Sequence, residues 1–233
     1  MKPQIAAIVT ACSLALIGSM QSGQASAADP VSSAQANPDD ARDALNIVNG
    51  GTRVIQQMKA DQQLTALMRR AKGIFVVPDY GKGALVVGGQ GGEGALMVRE
   101  ETKWTGPVFY TIGGVTVGAQ VGGEGGSIAM LLMTDRALNR FKRDNNFSLI
   151  ADADLTIVDY SVQAQGSVAN GDVVRWSDTE GAYAGASVGV TDINYDQHAN
   201  NSYYRTGDVT SYRILHGEVA NPHTETLAEA LPG

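Results

Sequence analysis

A serine motif near the end of the chain is the clearest candidate for catalysis. Residues 185–189 read GASVG, the G-x-S-x-G pattern that places a nucleophilic serine on a turn between a strand and a helix. The downstream acids and histidines that could complete a triad are Asp192, His198, Asp208 and His216. However, the apolar alternation that begins at Ala182 continues through Val190, which favours a plain strand position for Ser187. A serine hydrolase is therefore the less favoured hypothesis.

A glycine motif has the pattern of a nucleotide-binding loop. Residues 89–94 read GQGGEG and match G-x-G-x-x-G. That fingerprint requires a helix to open there, because the amides at the helix N-terminus receive the phosphates. Residues 95–98 read ALMV, which is typical of a strand, and Glu93 would repel a phosphate. We expect these glycines to permit close backbone approach rather than to bind a nucleotide.

A run of alternating oxygen ligands could bind a cation. Residues 192–196 read DINYD, which opens like a calcium loop. Gln197 and Tyr203 stand where an EF-hand needs glycine and glutamate, so a looser cation site or a polar turn are the alternatives. The three histidines show no ligand spacing. We therefore expect no catalytic residue, no cofactor and no metal ion.

Basic side chains form two groups that could hold an anion. The first surrounds the end of a predicted helix and the strand after it, with Arg69, Arg70, Lys72 and Lys82. The second lies on one predicted helix, with Arg136, Arg140, Lys142 and Arg143. Near an anionic membrane surface each such charge contributes about 1 kcal/mol. The alternative is an ordinary solvated role, because the helix dipole favours cations at helix C-termini in any case.

Apolar residues recur at helical spacing in three segments before residue 73. The first segment covers residues 41–48 and is predicted to end at the glycine pair at residues 50–51. Thr52 is predicted to cap a second, short helix, and Asp61 a third. Gly73 stands where a helix C-terminus favours a left-handed residue.

Strand patterns dominate the rest of the chain. Short apolar runs between glycine clusters predict strands at residues 74–78, 84–87, 95–98, 108–117, 128–133, 155–162, 173–176, 182–190 and 212–215. A helix is predicted at residues 135–143, with Asp135 as its cap. The expected fold class is α+β, in which N-terminal helices precede a mainly antiparallel, glycine-rich sheet or barrel-like core with one inserted helix.

The N-terminus has the three-part layout of a secretory signal. A basic start precedes an apolar run at residues 5–17, and ASA at residues 25–27 provides the small residues at which signal peptidase cuts. The apolar run is too short to span a bilayer comfortably. Lipidation of Cys12, the one cysteine, stays as a less favoured alternative. We therefore expect cleavage after Ala27 and export to the periplasm or cell envelope.

Composition limits the remaining possibilities. Hydrophobic residues make up 43% of the 233 residues and charged residues 18%, which is typical of a globular protein. A flexible leader is expected at residues 28–40, followed by a single domain at residues 41–233. The formal net charge is −7, so general nucleic-acid binding is not expected, because that affinity comes from neutralising phosphates.

An ordered series of motifs resembles the SYLF lipid-binding domain family. The opening block is AKGIFVVP at residues 71–78, GKG at 81–83 and GGQGGEG at 88–94. The later positions are Trp104, Pro107, Phe109, Gly113, Gly114, Gly118, QVG at 120–122, LMT at 132–134, Ala137, Leu138, Phe141, Asp152, Asp154, WS at 176–177, GAYAG at 181–185, Asn201, Tyr203 and Tyr204. The resemblance covers about residues 61–204.

The resemblance implies a non-enzymatic module that binds anionic phospholipid. Some fungal members also bind actin and carry a separate Src-homology module, and we do not expect actin as a partner of an exported chain without that module. Lys72 and Lys82 fall inside the best-matching block, which favours the first basic group slightly. The rival hypothesis is an envelope scaffold or protein-interaction domain that binds no lipid, with envelope proteins as its partners.

Overall fold

The computed structural model describes residues 37–81, 90–114, 126–143, 145–149, 154–160, 171–178, 190–220 and 223–233. Several predictions fall outside these ranges: the signal peptide with Cys12, most of the leader, Lys82, Asp152, the GASVG motif with Ser187, and the strand at residues 84–87. Within the described ranges the fold class is α+β, as predicted.

Helices begin and end the described part of the chain, and strands occupy its centre. The helices are α1 (Pro38–Lys59), α2 (Gln62–Arg70), α3 (Asp135–Arg143), α4 (Gln197–Tyr204), α5 (Ser211–Leu215) and α6 (Thr224–Ala230). The strands are β1 (Gly73–Gly81), β2 (Gln90–Glu100), β3 (Lys103–Gly114), β4 (Gly126–Leu132), β5 (Asn146–Phe147), β6 (Ile157–Asp159), β7 (Val173–Ser177) and β8 (Val190–Tyr195). Helix α1 thus begins before the end of the predicted leader.

The eight strands form one sheet in the order β5-β8-β3-β2-β1-β4-β7-β6. Only the β6–β7 pair is parallel, so the prediction of a mainly antiparallel sheet is confirmed. Strands β1 and β4 carry almost unbroken apolar runs because both faces of the sheet are covered there.

The two faces of the sheet pack against different helices. On one face, the rings of Phe75 and Phe141 lie 5.3 Å apart, which packs α3 on β1. On the other, a Cβ built on Gly51 of α1 would lie 3.8 Å from the side chain of Val76. Since neighbouring strand residues point to opposite faces, α1 and α3 cover opposite sides of the sheet. We call these sides the α1 face and the α3 face.

The glycine pair at residues 50–51 does not end a helix, and the prediction there was wrong. Helix α1 continues through it to Lys59, and the Thr52 hydroxyl donates to the carbonyl of Val48 at 2.9 Å instead of capping a new helix. A Cβ on Gly50 would lie 2.6 Å from Cβ of Pro78, closer than real atoms approach. The glycine is therefore needed for the helix to lie close to β1, and this contact outweighs its poor helix propensity.

Two predicted caps also differ from the structure. Gly73 is the first residue of β1, and the C-cap of α2 is Ala71 in an extended conformation. Thr134, not Asp135, caps α3, since its hydroxyl accepts from the amide of Ala137 at 3.3 Å and Asp135 lies in the first turn. The predicted Asp61 cap of α2 is confirmed, with its carboxylate accepting from the amides of Gln63 and Leu64 in the first turn.

The segment at residues 212–215 is helical, not a strand. Thr210 caps α5 by accepting from the amide of Arg213 at 3.3 Å, and this local bond decides between the two structures. The strand predicted at residues 155–162 is shorter, with β6 limited to Ile157–Asp159. Helices α4 and α6 were not predicted, because their apolar residues do not follow a clear helical period.

Candidate functional site

Lys72 of the first basic group and the start of helix α3 lie together at one end of the sheet. Lys72 Nζ lies 2.6 Å from Oδ2 of Asp135, in the first turn of α3, so the start of β1 and the start of α3 are neighbours. The backbone of Lys72 is fixed on both sides, because its amide donates to Leu132 and its carbonyl accepts from Arg99, each at 2.8 Å. Both side chains of the ion pair remain partly exposed, so this is a surface pair.

Arg136 is held by a buried carboxylate. Asp172, whose side chain is only 6% exposed, accepts two hydrogen bonds from Nη2 of Arg136 at 2.8 and 2.9 Å. The Thr134 hydroxyl and the Thr156 amide donate to the same carboxylate at 2.7 and 3.0 Å. Burial raises the pKa of Asp172, but the bonds from Thr156, Arg136 and Thr134 outweigh it and leave that pKa below its ordinary value. Asp172 therefore ties α3 to β6 and β7.

Four of the predicted cations make no hydrogen bond or ion pair with any residue that the structure describes. They are Arg69 and Arg70 at the end of α2, and Lys142 and Arg143 at the end of α3. A hydrogen bond ties the end of α3 to the sheet, because the Tyr110 hydroxyl on β3 donates to the carbonyl of Phe141 at 2.6 Å. Arg140 is half-buried on the same helix. Arg69 and Arg70 are exposed at the end of α2, whereas at the end of α3 Arg143 is exposed and Lys142 is half-buried.

Acidic side chains gather on the α1 face. Burial, followed by the charges of Asp196, Asp43 and Asp40, raises the pKa of Glu93 on β2. The alternate residues of β2 point to the α3 face, where a Cβ on Gly94 would lie 2.7 Å from the ring of Phe75. Residues 90–94 are strand rather than the start of a helix, and a Cβ on Gly92 would lie 2.6 Å from the carbonyl oxygen of Asp79. Gly92 and Gly94 therefore serve close packing, as predicted.

The other sequence candidates have structural explanations where they are described. Asp196 caps α4, accepting from the Ala199 amide at 2.9 Å, and the rest of the DINYD run is strand β8. In the described ranges, no three His, Cys, Asp or Glu side chains lie close enough to hold a metal ion. His198 is exposed on α4, and Nδ1 of His216 lies 2.8 Å from the carbonyl of Tyr212.

Sequence reasoning missed two residues that shape this site. Asp172 gave no signal, because its partner Arg136 is 36 residues away along the chain. Tyr212 was placed in a strand, whereas on α5 its side chain is 59% exposed and forms the one exposed large hydrophobic group among the described residues. The hydroxyl-bearing Thr210 two residues earlier was the signal for a helix start.

The described helices include none that is both long enough and apolar enough to pass through a bilayer.

The chain is similar in sequence to several known proteins. Residues 113–232 match the family described as Ysc84: Las17-binding protein actin regulator. The chain is 29% identical over 163 residues to the SH3 domain-containing protein PJ696.02 of Schizosaccharomyces pombe, covering 67% of this chain and 37% of that protein. It is 26% identical over 198 residues to the human SH3 domain-containing YSC84-like protein 1, covering 82% of this chain and 57% of that protein. The chain thus spans less than two thirds of either relative.

Proposed function

The chain belongs to the Ysc84 (SYLF) family, and on that premise we propose that it is a non-enzymatic module that docks on anionic phospholipid. The names of its relatives describe a binding protein, a regulator and domain-containing proteins, which supports a role without catalysis. The resemblance to the lipid-binding SYLF family supplies the proposed ligand class.

One observation carries the proposal. Lys142 and Arg143 project from the end of α3 with no carboxylate partner among the described residues, on a helix whose apolar side is fixed by Ala137, Leu138 and Phe141. A rigid helix end with free cations can approach a layer of phosphate groups without first breaking an ion pair. Lys72 and Arg136, in contrast, would have to leave Asp135 and Asp172.

Docking must be local because the chain as a whole is acidic. A formal net charge of −7 repels an anionic bilayer at long range. At physiological salt, charges act over a Debye length of about 8 Å, so a basic patch held against the surface can still attract phosphates while distant acids are screened. Binding should therefore depend on which side of the protein approaches.

Vesicle flotation tests the proposal. Residues 33–233 form one compact unit, and they are the protein to use because the apolar run at residues 5–17 could itself bind lipid. We expect bound protein to increase from pure phosphatidylcholine vesicles to vesicles rich in phosphatidylglycerol, and to decrease when salt is added, since these are electrostatic contacts. If the protein ignores phosphatidylglycerol vesicles at low salt, lipid docking is wrong.

We also propose that the chain is exported and cleaved after Ala27. The support is the basic start, the apolar run and the small residues at positions 25–27. The intact mass of the protein recovered from its producing cells tests this, and the expected mature chain begins at Ala28. A mass that retains Met1, or that carries acyl chains on Cys12, would contradict it.

A protein-interaction role is the second candidate, because the family description names a protein that its members bind. Under this alternative the chain is a scaffold, and its exposed cations are only solvated. A folded protein that fails to float with any anionic vesicle would favour this reading. A serine hydrolase based on Ser187 would require ester hydrolysis by the purified protein that disappears in Ser187→Ala.

A further inference from the structure

We propose that the α3 face is the side that lies against the bilayer, and that Tyr212 of α5 is its anchor at the level of the lipid head groups. This inference rests on the proposed lipid docking and adds an orientation and an apolar contact to it. Tyrosine suits such a position, because its ring has an apolar body and a polar tip.

The exposed ring of Tyr212 is held in place rather than free. It stacks on the ring of His216, with centroids 3.9 Å apart and an interplanar angle of 23°. A hydrogen bond between Nδ1 of His216 and the carbonyl of Tyr212, at 2.8 Å, fixes the histidine one turn along the helix. Single exposed hydrophobic residues are common and need no explanation. A binding role for this ring must therefore be argued from where it lies.

The location links Tyr212 to the free cations of α3. The Tyr110 hydroxyl donates to the carbonyl of Phe141, and the side chain of Ser211 is hydrogen-bonded to the same tyrosine. The end of α3 and the beginning of α5 therefore meet at one buried hydroxyl group on the α3 face. Lys142 directly follows Phe141, and Tyr212 directly follows Ser211. The cations and the exposed ring thus follow directly on the two residues that meet at the Tyr110 hydroxyl.

The charge of the opposite face favours the same orientation. Glu93 lies on the α1 face, close enough to Asp40, Asp43 and Asp196 for their charges to act on it. An anionic bilayer would be repelled by this face and attracted by the end of α3. Because the two faces are separated by the sheet, one orientation brings the cations and Tyr212 to the lipid and keeps these acids away from it.

The test compares Tyr212→Ser with the wild type in flotation on phosphatidylglycerol vesicles. We expect the variant to bind about fivefold more weakly, because a ring at the interface contributes about 25 cal/mol per Å² of apolar surface removed from water. Tyr212→Trp should bind at least as well as the wild type, and its added emission should shift to the blue when vesicles are present. Arg53→Ser, an exposed change on α1, is the control and should bind as the wild type does.

The outcomes separate this inference from the proposed function. If the wild type binds vesicles and Tyr212→Ser binds equally well, the anchor is wrong while lipid docking stands. The same conclusion follows if Tyr212→Trp binds without a blue shift. If the wild type does not bind at all, the proposed function fails and the inference fails with it. Circular dichroism of each variant confirms that the fold is unchanged, which is expected for an exposed side chain.

Discussion

The two ends of helix α3 carry the same kinds of side chain and use them differently. At its beginning, Asp135 is paired with Lys72, which precedes β1, and Arg136 is paired with the buried carboxylate of Asp172, which also accepts hydrogen bonds from Thr134 and Thr156. At its end, Lys142 and Arg143 have no such partner among the residues that the structure describes. The presence of a basic residue in the sequence therefore does not show that it is available to bind a ligand. The position of the carboxylates decides which cations hold the fold and which can meet a ligand.

The largest difference between the two ends of α3 is expected at Asp172. Replacing it with alanine, Asp172→Ala, should lower the free energy of unfolding by about 3 kcal/mol, because the Thr156 amide and the Thr134 hydroxyl lose their acceptor and Arg136 loses its partner. Urea denaturation measures this change. Asp135→Ala removes the carboxylate of the exposed pair instead and should cost less than about 1 kcal/mol. Equal effects of the two substitutions would show that the two ion pairs do not differ as described.

The contribution of Asp172 to stability is expected to depend on pH. The pKa of Asp172 in the folded protein lies below its unfolded value of about 3.9, so its contribution to stability is complete near neutral pH and is lost as pH falls through the folded pKa. The stability difference between the wild type and Asp172→Asn should therefore shrink between pH 6 and about pH 2.5. The pKa of Asp61 is also lowered, mainly by its bond from Tyr160, but this change affects both proteins alike. A difference that grows on acidification would contradict the account.

The smallest stability effect is expected at the end of α3. Lys142→Glu combined with Arg143→Glu should change the free energy of unfolding by no more than about 1 kcal/mol, because neither side chain has a partner among the described residues and the helix dipole favours cations there. Thermal unfolding measures it. A loss as large as that of Asp172→Ala would mean that these residues hold the fold.

The sequence predicts helix α3 well because the signal is local. A helix was predicted at residues 135–143, and α3 has these bounds and buries Ala137, Leu138 and Phe141 on one side. The β1 and β4 runs were found in the same way, since buried central strands are nearly continuous in apolar residues.

The errors arise where a distant contact overrides a local preference. The pair at residues 50–51 looks like a helix end, and only the approach of Pro78 shows why α1 continues through it. The engagement of Arg136 depends on a carboxylate far away in the sequence, so no spacing rule could distinguish it from Arg143. Residues 212–215 look like a strand until the capping bond of Thr210 is seen. The fold class could be predicted because it depends on local patterns. Which cations are paired with carboxylates could not, because it depends on contacts between residues far apart in the sequence.

Flotation on phosphatidylglycerol vesicles at low and at physiological salt, with two charge-reversed double variants, tests whether the end of α3 binds lipid. We expect Lys142→Glu with Arg143→Glu to lower vesicle binding by roughly tenfold or more, since each near-surface charge contributes about 1 kcal/mol and reversal adds repulsion. Arg69→Glu with Arg70→Glu, which removes the other exposed cations at the end of α2, should have the smaller effect. If the α3 variant binds like the wild type while the α2 variant loses binding, the α3 face is not the docking surface.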